Sequence, residues 1–139
     1  MTLRPTLITA LLGAAACAPA ALAHHSFAMF DQSKQVSLKG TVTEFQWTNP
    51  HAFIHVEVAN DAGGKETWDI ELNSPNNLKR QGWSSDSVKP GDKVTLVANP
   101  LRDTSHKGGL FIAVTLPDGK VLGDATRAAG GPINVPVVP

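Results

Sequence analysis

Cysteine is nearly missing from this chain, and tyrosine is missing altogether: Cys17 is the only cysteine in 139 residues. A single cysteine permits no internal disulfide and no cysteine metal cluster. A surplus of charge of either sign is lacking too, since 12 Lys and Arg face 12 Asp and Glu. Without a basic excess there is nothing to collect phosphates, so the expectation is a chain that binds no nucleic acid. No G-x-S-x-G elbow, H-E-x-x-H helix, P-loop or dinucleotide fingerprint occurs, and nothing in the sequence demonstrates an enzyme. A redox copper enzyme is the most distant of the readings considered.

Long apolar runs are absent except at the start. Arg4, the run Leu7-Ile8-Thr9-Ala10-Leu11-Leu12 and the small-x-small pattern Ala21-Leu22-Ala23 form the three parts of a secretory signal. A retained anchor is the competing reading, because the run approaches the ~20 residues that span a bilayer. Its alanine content and the cleavage pattern favour removal, which leaves no membrane span. A lipoprotein cut before Cys17 is a third possibility, but Ala14-Ala15-Ala16 lack the large aliphatic residue such sites carry. Cleavage after Ala23 removes 23 of 139 residues and leaves 116, enough for one domain with a modest core. Cys17 leaves with the leader, so any metal must be held by nitrogen and oxygen. The expected location is the periplasm or the exterior.

The expected organisation is a signal peptide over 1–23, an arm over 24–34, a barrel domain over 35–122 and a flexible tail over 123–139. Phe27, Met29 and Phe30 are apolar enough to dock the arm. From Gln35 to Thr48, Val36, Leu38, Gly40 and Val42 share one face while Phe45 and Trp47 continue on the opposite parity. That change predicts a bulge near Thr43-Glu44, with Gly40 allowing a bend. Asn49-Pro50 is a turn. Ala52, Ile54, Val56 and Val58 then alternate inward, which places His51, Phe53, His55 and Glu57 outside. After the loop Asn60-Asp61-Ala62-Gly63-Gly64, a returning strand sets Trp68, Ile70 and Leu72 against Thr67, Asp69 and Glu71.

Ser74 as cap and Pro75 at the first helical position predict about two helical turns, stopped by Gly82. Two strands follow, Lys93 to Ala98 and Leu110 to Leu116. Three strands, a short helix and two strands is the order of the OB barrel, a five-stranded Greek-key barrel. The predicted class is therefore all-β with one short helix, a small OB-like barrel; a half-open sandwich is the competing architecture.

His24-His25-Ser26-Phe27, Phe30-Asp31, Trp47-Thr48-Asn49-Pro50-His51, Ser74-Pro75-Asn76, Gly82-Trp83, Lys89-Pro90-Gly91-Asp92 and Thr115-Leu116-Pro117-Asp118-Gly119 form a recognisable set. With Val36-x-Leu38-x-Gly40-x-Val42 they resemble an uncharacterised family of small secreted bacterial proteins, a domain of unknown function, over Ala23 to Leu122. The resemblance implies a periplasmic location and no established activity.

Cleavage after Ala23 would make His24 the first residue. Its free amine, with an ordinary pKa of about 7.7–8.0, and its own ring form a chelate. Nitrogen donors of this kind suit Cu(II) first among the divalent ions. Locally this end resembles the histidine brace of periplasmic copper carriers and copper-dependent polysaccharide oxygenases, a likeness confined to His24. His25 or His51 is the expected completing ligand, giving a metal set of His24, His25 and His51 with Cu(II) as the candidate cofactor. His51 and His55 lie about 13 Å apart along a strand and would not share an ion. His106, in the loop Ser105-His106-Lys107-Gly108-Gly109, is expected to be solvated. Asp69 and Glu71 are read as the solvated side of their strand. The alternative function is a binding or accessory module that engages a periplasmic protein or small ligand through Phe53, His55 and Trp47 beside His51.

Overall fold

The computed structural model describes residues 27–124. A 3-10 turn over Phe27–Met29 precedes β1 (Val36–Gln46), β2 (Phe53–Ala59), β3 (Lys65–Glu71), α1 (Pro75–Arg80), β4 (Lys93–Pro100), β5 (Gly108–Thr115) and β6 (Val121–Gly123). The strands run in the order β3-β2-β1-β4-β5-β6, and β3 also pairs with β5. That last pairing is parallel and closes the first five strands into a barrel. The result is an OB-like barrel, all-β apart from one short helix and the 3-10 turn.

β1 serves both halves of the barrel. Val36 to Thr41 pair with β4, and Gly40 to Gln46 pair with β2. The strand bends where the two registers overlap. The shift falls between Val42 and Glu44, so Thr43 is the extra residue of a bulge. Its hydroxyl donates to the His55 carbonyl at 3.2 Å. Downstream of it the inward parity changes, and Phe45 and Trp47 pack against the core that Leu38 and Val42 enter from upstream.

Inside the barrel, Ile54, Val56, Ile70, Leu96, Phe111 and Val114 are fully buried. α1 supplies a plug. Ser74 accepts from the Asn77 amide, Pro75 occupies the first turn, and Leu78 is fully buried. Gly82 ends the helix at φ +86. Its amide donates to the Lys79 carbonyl and the Trp83 amide donates to Leu78, the paired bonds of a Schellman ending. That ending turns Trp83 into the core, where it meets Phe111 edge-on at 5.4 Å.

β6 is a short addition beyond the five barrel strands, and it pairs with Ala113–Thr115 of β5. Gly123 belongs to it and Asp124 is fully buried, so the fold continues past residue 122. Among the described residues, no helix is long and apolar enough to cross a membrane.

Candidate functional site

The outer face of β2 and β3 carries the polar cluster. Ala52, Ile54 and Val56 point into the core, so alternation leaves His51, Phe53 and His55 outside. The hairpin register sets His55 opposite Asp69 and Phe53 opposite Glu71. His55 Nδ1 lies 2.6 Å from Asp69 Oδ1, and His51 Nδ1 pairs with Glu71 Oε1. His55 also stacks on Phe53, with ring centroids 6.2 Å apart at 14°, and its Nε2 faces Gln46 Oε1 at 3.4 Å. A neutral imidazole that donates Nδ1–H to a carboxylate carries its lone pair on Nε2, the arrangement that orients metal-ligating histidines. Asp69 and Glu71, expected as a solvated strand face, are thus the partners of the two histidines. Alternation shows which face a residue occupies, but only the cross-strand register shows who stands opposite.

Beside this cluster lies an open basin of about 550 Å³. One wall is the β2–β3 face, through Phe53, Asp69 and Glu71; a second is the β4–β5 loop, through Leu101 and Ser105 to Lys107. The third is the arm, through Met29 and Phe30. Phe30 forms an antiparallel bridge with Leu101, the Asp31 amide donates to Pro100, and the Arg102 amide donates to Met29. Arg102 Nε reaches the Ala28 carbonyl at 3.0 Å, and Asn99 Nδ2 holds the Lys34 carbonyl at 2.7 Å.

The loop is held as firmly as the arm. Asp103 accepts from the Ser105 hydroxyl at 2.6 Å and from its amide at 2.9 Å. Those bonds, the hydroxyl first, keep the Asp103 carboxyl below its ordinary value of 3.8. His106 follows directly. Lys107 turns toward Glu66, at 3.6 Å, and lies over the Trp68 ring at 5.6 Å.

The candidate residues fall into separate groups. His24 and His25 lie outside the described residues. His51, Phe53 and His55 share one face. Trp47 stands apart from them: it packs edge-on against Phe45 at 5.4 Å, beside the core, and does not line the basin. His106 does line it. Among the described residues, no group of three or more His, Cys, Asp or Glu is placed to hold a metal ion.

Fold and site together define a small OB-type barrel with a histidine–carboxylate face beside a basin walled by its own N-terminal arm. The chain belongs to a family of unknown function, DUF6152, whose model matches residues 12–111. No curated protein matches it. Among solved structures it is similar to the mitochondrial single-stranded DNA binding protein Rim1 of S. cerevisiae, at 15% identity and a TM-score of 0.45, over 60% of this chain and 94% of that one. The exclusion of nucleic acid that was read from net charge is withdrawn. The physical reason is that a charge summed over the whole chain does not describe any one face of a barrel.

Proposed function

We propose that this is a periplasmic protein that binds a divalent metal, Cu(II) first, through the amine and ring of His24 after removal of the signal peptide. A further imidazole completes the site, with His25 and His51 the candidates read from the sequence. Carriage, buffering or delivery of the ion is the role. The observation that supports this reading is the docked arm. Bonds from Pro100 and Arg102 hold residues 28–31 against the barrel, so the chain entering at Phe27 is tethered beside a face rich in imidazole and carboxylate. Met29 lies five residues after His24, a span of at most about 18 Å when extended.

The test begins with the intact mass of protein exported to the periplasm, followed by titration of that sample with Cu(II). A chain starting at His24 should take up one equivalent. Adding one residue ahead of His24 abolishes the amine-and-ring chelate and should weaken binding at least tenfold, about 1.4 kcal/mol. Equal affinity for both forms would refute the reading.

The basin, which Phe53 lines, favours a second reading, a metal-free module that engages a protein or small ligand there and through the adjoining face of His51, Phe53 and His55. Its volume falls within the ~300–1,000 Å³ of small-molecule sites. On that reading, Phe53→Ala should abolish capture of the partner, while the N-terminal extension should leave capture intact.

A further inference from the structure

We propose that the basin beside β2 and β3 takes a short aliphatic diamine, held at its two ends by the carboxylates of Asp69 and Glu71. The proposal rests on the reading of the basin as a small-ligand site and names the chemical class of that ligand. The first argument is charge. With imidazoles counted as neutral, two carboxylates, Asp69 and Glu71, and one ammonium, Lys107, line the basin. That ammonium is already matched. Lys107 Nζ lies 3.6 Å from Glu66 and 5.6 Å from the centre of the Trp68 ring. Glu66 and Trp68 have the opposite parity on β3 from Asp69 and Glu71, so the contact leads the ammonium away from the two basin carboxylates. The charge left facing the basin is negative, and a cation complements it.

The second argument is spacing. Asp69 and Glu71 are alternate residues of β3 and share its outer face, with Cα atoms about 7 Å apart. Each has one oxygen held from β2: Asp69 Oδ1 by His55 Nδ1 at 2.6 Å, and Glu71 Oε1 by His51 Nδ1. The second oxygens, Asp69 Oδ2 and Glu71 Oε2, take no bond from a described residue. The histidines thus fix each carboxylate and leave one oxygen open. Charge-assisted N–H···O bonds are roughly twice as strong as neutral ones. Two such acceptors at a set spacing select a dication over a single ammonium.

The third argument is the rest of the lining. Phe53 stands opposite Glu71 in the hairpin register and lines the basin with Met29, Phe30 and Leu101. Met29 is 54% exposed there. A methylene chain between two ammonium groups can lie along these apolar walls, and an ammonium near the Phe53 ring is attracted by its face as well. A ligand carrying hydroxyls along its length would set them against the same walls without partners.

The experiment uses the full exported protein, freed of metal, with 1,4-diaminobutane, butylamine and 1,4-butanediol as probes of matched length. Amide chemical shifts report both the site and the affinity. The diamine should move the amides of Asp69, Glu71 and Gly108, and butanediol should not. Glu71 is the more buried carboxylate, its side chain 14% exposed against 60% for Asp69. Glu71→Gln should therefore weaken the diamine by about tenfold and Asp69→Asn by about threefold. Asp69→Asn should also erase the diamine's advantage over butylamine while the circular dichroism stays that of the wild type. Equal affinity for diamine and butylamine in the wild type would refute the two-point grip. Butanediol binding as well as the diamine would mean that the basin reads shape and not charge. Either result overturns the proposal and leaves the basin reading standing. Diamine binding that neither variant weakens places the cation elsewhere and overturns it too. If no probe moves these amides the proposal fails, and the basin reading is then decided by the Phe53→Ala capture assay alone.

Discussion

Asp31 stands where the arm meets the barrel. Its carboxylate accepts from the Ser33 hydroxyl at 2.6 Å and approaches Lys34 Nζ at 3.2 Å, while its amide is fixed to Pro100. The Ser33 hydroxyl first, then Lys34, holds the carboxyl below its ordinary value of 3.8. A carboxyl depressed in the folded state contributes stability above its unfolded value and loses it as pH falls through the folded one. The arm should therefore stay anchored through neutral and mildly acidic pH and loosen only below 3.8. A carbon-detected titration of Asp31 checks this, and a midpoint at or above 3.8 would refute it. At this scale the sequence discloses faces but not partners. Alternation put His55 and Asp69 outside their strands, yet their 2.6 Å contact depends on a register fixed by the Asn60–Gly64 hairpin. His106, expected to be solvated, is exposed in its loop. Its neighbours in the basin come from the arm and from β3, far from it in the chain.

Among the elements, β1 was the most legible and is the most constrained. The parity change between Val42 and Phe45 announced the bulge that the register shift shows, because one extra residue reverses every later side chain. Gly40, however, does more than allow a bend. A Cβ there would lie 2.4 Å from the Glu57 carbonyl oxygen and 2.7 Å from Val56 Cγ2. The first of these is backbone in the paired strand and cannot rotate away. Gly40→Ala should therefore cost about 1–3 kcal/mol, the range for overpacking, seen as a lower urea midpoint with unchanged slope. An unaltered midpoint would show that β1 and β2 can separate locally. α1 was equally readable, since its cap at Ser74 and its ending at Gly82 are local chemistry. Its depth was not: that Leu78 is fully buried follows from where the barrel leaves a gap. Leu78→Ala should cost about 2–5 kcal/mol, and a loss well below that range would mean the helix is a lid rather than a plug.

The whole molecule is a ring with one short link. β1 pairs with β2 and with β4 over six positions each, β4 pairs with β5 over six, and β2 pairs with β3 over seven. β3 and β5 meet over three. Strand number and order suggested the barrel, but the parallel closure joins segments nearly forty residues apart, and no local pattern announces it. β6, only three residues long, gave no period to read. The short link has a consequence. Local opening starts where few backbone bonds must break together, so amides bonded across the seam, such as Asp69 to the Lys107 carbonyl, should exchange first among the strand amides. Those between β1 and β4 should exchange last. The arm, the β4–β5 loop and the basin all lie along this seam. A divalent ion bound at the basin would favour the closed form and so oppose opening there. Hydrogen exchange read by mass spectrometry should then show Cu(II) slowing peptides around residues 69–71 and 101–110, with those of the β1–β4 pairing unchanged. Uniform slowing would mean that the ion stabilises the whole fold from elsewhere. No slowing at the seam would leave the basin without the ion and remove the reason for the arm to be docked beside it.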